Sequence, residues 1–342
     1  MNVRKMLLAL MAVSSLSFAG YNNYCCEPCP QVCCDPCCDG EFGVYGDYLY
    51  WRARRCELDY AIPYDDTIVV GNVYDVCPRY DSGFRVGAFY KGCGDFDFVG
   101  QYTWYNTDAK SHVFDEDENL AGTHILDENT QVGQESFQLA RGEWDLKYNV
   151  VDLTAGYRWD MNDCFHARFY TGLKLAFIDQ TFDILYSETE DVTGVANGFD
   201  KVHYSNDLNG YGIQVGASAD YQICGRLSLI GNFGYGVLAS DVSRKEVYVT
   251  SANGGTTEVI EVDLHDSCWR TLSVLDLAVG LSYEIYCGDC GSAFIGLGYE
   301  FHHWFDMANF ISYQNESGEI TFDRYTDSLG LDGLFVRLGV NF

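Results

Sequence analysis

Apolar and polar residues alternate one by one through long stretches of this chain. Val151, Leu153 and Ala155, for example, are separated by Asp152 and Thr154. Successive side chains of a β-strand point to opposite faces, so this alternation predicts strands with one apolar and one polar face. The stretches reach the length of about nine to eleven residues that a tilted strand needs to cross a membrane. The predicted strands are residues 43–52, 83–91, 96–105, 146–159, 165–178, 209–222, 227–239, 269–286, 292–305 and 333–342.

The connections between these segments alternate between short and long. Short periplasmic turns and long extracellular loops are typical of outer-membrane barrels. We therefore expect an all-β fold, a transmembrane antiparallel β-barrel of about 10–12 strands, rather than a soluble all-β protein, which would also show alternation. The short connections are residues 92–95, 160–164, 223–226 and 287–291, and the long ones are residues 53–82, 106–145, 187–207, 241–267 and 306–331.

Two further segments could raise the strand number from ten to twelve. One is a strand at residues 57–62, and the other is a hairpin of residues 310–312 and 320–322. The last predicted strand ends in Phe342. A terminal aromatic residue is a feature that the outer-membrane assembly machinery commonly recognises.

Residues 1–19 have the pattern of a secretory signal peptide. Arg4 and Lys5 form a basic region, an apolar run follows, and Ala19 ends a small-residue site after which we expect cleavage. The apolar run is too short to span a bilayer as a helix. We expect a cysteine-rich periplasmic segment at residues 20–41 and a barrel at residues 42–342, located in the outer membrane of a bacterium.

Composition and charge narrow the possible partners. The chain has 26 Tyr, 21 Phe and 35 Gly but only 5 Pro, and aromatic residues favour strands. It has 50 acidic against 21 basic residues and a net charge of −29, which argues against binding to nucleic acid. We expect many of the acidic residues to lie in soluble loops, as in the run from Asp115 to Glu118.

The chain has 15 cysteines, an odd number, so at least one is free or bonded to another chain. Seven of them crowd the N-terminal segment. Their C-x-x-C spacing could hold zinc, and an unpaired reactive tail is a third possibility. An oxidising compartment favours disulfide cross-links instead, so we predict no metal site. These cysteines are Cys25, Cys26, Cys29, Cys33, Cys34, Cys37 and Cys38.

Five more cysteines fall in the short turns. Two of them, Cys287 and Cys290, are close enough to pair within one turn. A disulfide needs Cα atoms about 4.4–6.8 Å apart, and we expect neighbouring hairpins to hold their turns farther apart. The other three, Cys93, Cys164 and Cys224, should then bond to the N-terminal cluster or to neighbouring molecules. Cys56, Cys77 and Cys268 fall near the opposite rim, and none of the cysteines is expected in the middle of a strand.

The polar face of the strands should line the barrel interior. Its charged residues could plug a narrow barrel with salt bridges. Glycine is frequent on the same face, for example at Gly87 and Gly216, and we expect it to leave space. The pattern therefore favours a narrow water-filled channel, with a mild cation preference that comes from the acidic loops. The predicted pore-lining residues are Arg85, Asp97, Asp152, Arg158, Arg168, Lys174, Asp220, Asp276, Glu284, Glu300 and Arg337.

Aromatic residues near the strand ends predict girdles at the two membrane interfaces. The neighbouring His302 and His303 should point to opposite faces of one strand, so we do not expect them to share a metal ion. The predicted girdle residues are Tyr48, Tyr50, Trp51, Trp104, Tyr105, Trp159, Trp269, Phe301, Trp304 and Phe305.

Several blocks of the chain resemble the Legionella-type pore-forming major outer membrane protein family. The most specific block is GDYLYWRARRCELDYA at residues 46–61, and GFRVGAFY, KYNVVDLTAGYR, GLKLAFIDQTF, LDLAVGLSYE and FVRLGVNF extend it over most of the chain. The resemblance implies an outer-membrane porin-like protein that passes small hydrophilic solutes by diffusion, and it supplies no catalytic residues. The cysteine content departs from the Legionella-like pattern and is similar to that of the disulfide-cross-linked envelope proteins of chlamydia-like bacteria.

The sequence contains no G-x-S-x-G element, P-loop or H-E-x-x-H motif, so we expect neither an enzyme nor a cofactor. The expected partners are outer-membrane lipid, neighbouring envelope proteins joined through disulfides, possible further copies of the chain and a possible host-cell surface ligand. The alternative function is a surface adhesin or structural barrel without an open pore.

Overall fold

The computed structural model describes residues 40–342, except residues 66–67, 70, 93, 118, 125–136, 163, 188–198, 253–256, 289–290 and 317–318. The predicted signal peptide and the N-terminal cysteines Cys25 to Cys38 lie outside the described residues, as do Cys93 and Cys290. Within the described part no helix could span a membrane.

The described chain folds into strands. They are β1 (Glu41–Arg54), β2 (Asp59–Asp65), β3 (Ile68–Val69), β4 (Tyr74–Asp75), β5 (Tyr80–Lys91), β6 (Phe96–Phe114), β7 (Leu120–Gly122), β8 (Leu139–Asn162), β9 (Phe165–Ser187), β10 (Phe199–Cys224), β11 (Leu227–Ala252), β12 (Thr257–Gly288), β13 (Gly291–Glu316) and β14 (Glu319–Asn341).

Ten of these strands form a closed antiparallel barrel in the order β1-β14-β13-β12-β11-β10-β9-β8-β6-β5, and β5 pairs with β1. The ends of the sheet meet where Gly43–Arg54 pairs with Gly330–Asn341. The all-β barrel and its ten strands are thus as predicted. We call the end with the four short turns the turn end, and the other the loop end.

A continuous apolar belt covers the outside of the barrel. On β9 the alternate residues from Phe169 to Phe177 point outward, and beyond them the outward residues become polar, beginning at Asp179. On β10 the belt extends from Tyr221 to Tyr211. An outward apolar band of this kind matches the hydrocarbon layer of a membrane.

Most of the predicted long loops are strand in the structure. The β10–β11 hairpin stays paired from Asp207↔Ser243 to Asp200↔Thr250, within residues that we expected to be loop. The strand at residues 57–62 forms as β2 but stays outside the barrel wall, and the predicted 310–322 hairpin is the outer end of the β13–β14 pair. Beyond the lipid belt the alternation on β8 and β9 is reversed, with apolar residues such as Trp144 and Phe182 facing inward and polar residues facing outward. A pattern with an apolar outer face and a polar inner face therefore did not predict these extensions.

A small inner sheet of β2, β3, β4 and β7 fills the loop end. Its residues pack against the inward side chains of the wall. Tyr60 is 1 % exposed, its backbone carbonyl accepts a hydrogen bond of 2.7 Å from the Tyr186 hydroxyl, and its own hydroxyl lies 3.0 Å from Ser111 Oγ. Leu58 and Leu120 are also buried. Strands from the β1–β5 and β6–β8 connections therefore occupy the interior at the loop end.

Glycines on the inner face allow neighbouring strands to pair closely, and Gly212 on β10 tests this. A Cβ atom there would lie 2.1 Å from the backbone oxygen of Val237, so we expect Gly212→Ala to reduce the free energy of unfolding by about 1–3 kcal/mol. The matched control is Gly231→Ala on β11, where the nearest atom would be 3.9 Å away. Urea unfolding in lipid vesicles measures both. Equal effects of the two substitutions would contradict this explanation.

Candidate functional site in the barrel interior

All the predicted pore-lining residues lie on inward positions of the barrel wall. The register shows this, because Arg85 is opposite Asp47, Asp47 is opposite Arg337, and Asp152 is opposite Lys174. The two faces differ sharply in burial. The inward residues are mostly buried, whereas the outward ones form the exposed apolar belt.

A charged network crosses the interior from β14 to β8. Its first part is centred on Arg85, which is 5 % exposed and donates to Asp47 at 2.9 Å and to both Glu300 oxygens at 3.1 Å. Arg337 donates two further bonds to Asp47, at 2.7 and 2.8 Å. The Trp51 indole also donates to Glu300, at 3.0 Å. Side chains in the interior thus tie β1, β5, β13 and β14 together.

The second part of the network is centred on Lys174, which is 3 % exposed. Its amine lies 2.7 Å from Asp152 and 3.1 Å from Asp276. His302 Nδ1 is 2.7 Å from Asp276, and its Nε2 is 3.6 Å from Glu300, so this ring joins the two parts. Removing either cation would leave a buried, uncompensated carboxylate, which is far more costly than losing a surface pair.

The remaining predicted residues lie towards the turn end. Arg168 donates to Asp97 at 2.7 Å, and Asp97 is 3 % exposed. Arg158 donates to the backbone oxygen of Gly94 at 2.7 Å and so holds the β5–β6 turn. Asp220 and Glu284 are half-buried. The network therefore joins six of the predicted residues, Arg85, Asp152, Lys174, Asp276, Glu300 and Arg337, and leaves the other five outside it.

Nearer the loop end, an aromatic cluster fills the interior. The Trp51 ring centroid lies 5.5 Å from that of Tyr105 and 6.2 Å from that of Tyr148, and Tyr148 lies 6.1 Å from Trp304. Trp51, Tyr105 and Trp304 are 0 % exposed. The prediction that these three belong to the interfacial girdle is wrong. The alternation of faces could have shown that Trp51 points inward, because its neighbour Tyr50 faces outward.

The expectation that inner-face glycines leave space is also wrong at several positions. Aromatic rings of neighbouring strands occupy the places where a Cβ would be, such as the Tyr45 ring at Gly87 and the Tyr170 ring at Gly216. Sequence reading could not see this because the rings belong to adjacent strands. In the aromatic cluster, too, the inward positions are occupied by fully buried rings.

Four polar residues that contact the charged network were not predicted from the sequence. Asp47 has no exposed side chain and binds two arginines. Gln101 and Gln214 each donate to Asp152 at 2.9 Å, and His302 bridges the network. Alternation does place His302 inward and its neighbour His303 outward, as predicted, with His303 between Phe301 and Phe305. No cluster of three metal-ligating side chains is found among the described residues.

A third group lies beneath the inner sheet, beyond the lipid belt. His124 Nδ1 is 3.1 Å from the Tyr204 hydroxyl, and its Nε2 is 2.9 Å from the backbone oxygen of Asp59. Burial lowers the pKa of His124, so its ring is neutral near pH 7. Burial raises the pKa of Glu246 to about 7, opposed by its hydrogen bond with Tyr204. The outward neighbour of Glu246 is the exposed Lys245.

The cysteine turns are closer together than predicted. The backbone nitrogen of Gln222 donates to the backbone oxygen of Cys164 at 2.8 Å, which brings the β8–β9 turn beside Cys224. Neighbouring hairpins therefore touch each other at this point, through the adjacent ends of β9 and β10. Cys164 is disulfide-bonded. Cys268 lies inside the lengthened β12 rather than at a rim, and its Sγ accepts from Arg244 at 3.0 Å, whereas Cys56 and Cys77 are free and exposed.

Comparison with protein families gives one match that covers most of the chain. The model described as the Legionella pneumophila major outer membrane protein precursor matches residues 34–342. No curated protein sequence matches the chain.

Solved outer-membrane proteins are similar in structure at low identity. The outer membrane protease OmpT from Escherichia coli is 8 % identical with a TM-score of 0.39, over 88 % of this chain and 96 % of that one. A major outer membrane protein from Thermus thermophilus is 12 % identical with a TM-score of 0.32, over 89 % of this chain and 100 % of that one. We draw nothing about function from similarities at this level.

The pH dependence of stability tests whether the carboxyl group of Glu246 is buried. Because its folded pKa of about 7 is above its ordinary value, ionisation disfavours folding, and stability falls as pH rises from about 4.5 to 7. We expect Glu246→Gln to raise the free energy of unfolding at pH 8 by about 2–3 kcal/mol and to leave it nearly unchanged at pH 4. The control is Glu261→Gln at an exposed site. A gain that is equal at both pH values would contradict the burial of this carboxyl.

Proposed function

We propose that this chain, which belongs to the Legionella major outer membrane protein family and lies in the bacterial outer membrane, is a diffusion channel for small hydrophilic solutes. In this proposal the structure represents the closed conformation of the channel. The observation that supports this proposal is the charged network, which buries residues of both signs inside the barrel. Burying ion pairs costs desolvation energy, and apolar packing of the same volume is often at least as stable. The neighbouring aromatic cluster shows that this chain can fill its interior without charge.

Charged groups inside a membrane are typically associated with ion or solute pathways. Each pair in the network can exchange its protein partner for water, so the network can separate without leaving charges in an apolar medium. In this proposal the charged network forms the conducting wall once hydrated. The aromatic cluster and the inner sheet are then the two obstacles that must move.

The inner sheet is suited to such movement because most of it belongs to the connection between β1 and β5. It is held in place by the hydrogen bond from the Tyr186 hydroxyl to Tyr60, and by His124, which links the Tyr204 hydroxyl to the backbone oxygen of Asp59. The barrel wall closes through β1, β5 and β14 without it. Withdrawal of the sheet would leave the wall intact.

Planar-bilayer recording tests the channel. We expect the wild-type protein to show rare, small conductance steps, and Trp51→Ala with Trp304→Ala to increase open time or conductance several-fold because both rings fill the interior. The matched control removes two outward indoles, Trp159→Ala with Trp269→Ala, and should behave like wild type.

Replacing residues 57–76 with a short Gly-Ser linker should also increase conduction. Reversal potentials in the same recordings measure the mild cation preference expected from the acidic loops.

A closed structural or adhesive barrel is the second candidate, and the filled interior favours it. The wall of β10 and β11 also continues well beyond the lipid belt, to Asp200↔Thr250, and presents a rigid outer surface. If wild type and both opening variants insert correctly and remain electrically silent, the channel proposal is wrong and the structural barrel stands.

Disulfide cross-linking between envelope proteins is a separate proposal, supported by the position of cysteines in the short turns. Cys224 lies exposed at the turn end, where the N-terminal cysteine cluster is also expected. Cys164 is already disulfide-bonded, so intermolecular bonds would rest on the N-terminal cysteines. Non-reducing gels of alkylated envelopes should show high-mass species that collapse with thiol, and replacing all seven N-terminal cysteines with serine should remove them. Monomer alone in the unreduced samples would overturn the proposal.

A further inference from the structure

A polar patch of the inner wall lies between the aromatic cluster and the outer end of the barrel. Gln180, Asn206 and Arg244 are inward residues on β9, β10 and β11, and each is directly opposite the next in the strand register. Opposed residues of neighbouring strands have Cβ atoms about 4.5–5.5 Å apart. These three side chains, which we call the donor patch, therefore lie side by side in the interior.

The donor patch is buried but poorly satisfied within the protein. Gln180 is 2 %, Asn206 6 % and Arg244 9 % exposed. The Gln180 Nε2, both amide atoms of Asn206, and Nε and Nη1 of Arg244 have no hydrogen-bond partner among the described residues. Buried polar groups nearly always have partners, so a cluster of unpartnered ones indicates a missing water or ion. Most of the free atoms here are N–H donors.

Two further arginines add positive charge around the patch. Arg55 Nη1 donates to Gln180 Oε1 at 3.0 Å and so approaches from the lumen side. Burial lowers the pKa of Arg55 to about 10. Arg270, an inward residue of β12, lies near Arg244 and donates to the backbone oxygen of Asp306 at 2.6 Å. Positive charge is thus concentrated in a region with little solvent.

Acidic groups face these arginines at longer distances than in the charged network. Asp266 lies 3.6 Å from Arg244 Nη1, and Asp327 lies 3.9 Å from Arg55 Nε. Both distances exceed a hydrogen bond. Glu246, the next inward residue after Arg244, is partly protonated near pH 7, and Glu57 lies near Arg55. Arg85, by contrast, has contacts of 2.9–3.1 Å to two carboxylates.

We propose that the donor patch binds a small oxyanion, such as phosphate or the carboxylate of a solute. Guanidinium and amide N–H groups match oxyanion acceptors, and charge-assisted bonds of this kind are about twice as strong as neutral ones. The bound anion satisfies Arg244, Asn206 and Gln180 together. Binding concerns the folded barrel and does not depend on whether the barrel conducts.

Titration calorimetry of the purified, folded full chain with inorganic phosphate tests the site. We expect saturable binding by wild type and at least a tenfold loss of affinity in Arg244→Gln and in Asn206→Leu. The control is Lys245→Gln, because Lys245 is the next residue on β11, faces outward and is exposed. It removes the same charge without touching the patch and should bind like wild type. Heat-modifiable gel mobility checks that each variant is folded.

Three results would overturn the proposal. Wild type that takes up no phosphate would mean that water alone satisfies the patch. Equal weakening by Lys245→Gln and Arg244→Gln would mean that phosphate responds to net charge rather than to this site. Unchanged affinity in folded Asn206→Leu would remove the amide from the site and leave at most a nonspecific contact with arginine. A silent protein in bilayers that still binds phosphate would leave this inference intact.

Discussion

The structure depends on the hydrogen bonds between β1 and β14, which join the two ends of the sheet. The hydrocarbon layer offers no water to pair with exposed backbone groups, so a spanning sheet is stable only when it has no edge. Closure by ten strands leaves an interior only somewhat wider than the eight-stranded barrels that side chains can fill. The apolar outer belt and the contents of the interior both follow from that closure.

The interior contains three parts, namely the charged network, the aromatic cluster and the inner sheet. Arg85 and Lys174 each bring two carboxylates together and connect strands that are distant in sequence. Trp51 connects this network to the aromatic cluster, since its indole bonds to Glu300 while its ring packs on Tyr105. The inner sheet then closes the loop end.

The buried ion pairs of the interior bear on whether the barrel acts as a channel or as a structural protein. A barrel filled by apolar side chains alone would have little reason to open, whereas buried ion pairs can exchange their partners for water. The donor patch adds a basic region to the interior of a strongly acidic protein.

The sequence by itself determined the barrel, its ten strands, the short turns and the inward positions of residues such as Arg85 and Asp152, because period-two alternation is local and the membrane requires it. Pairing between strands was decided only in the tertiary structure. The partners of Arg85 are 38 and 215 residues away, and the ring that covers Gly87 comes from Tyr45. Whether a polar inner face encloses water or packs solid depends on which side chains meet across a closed barrel, and no local pattern contains that information.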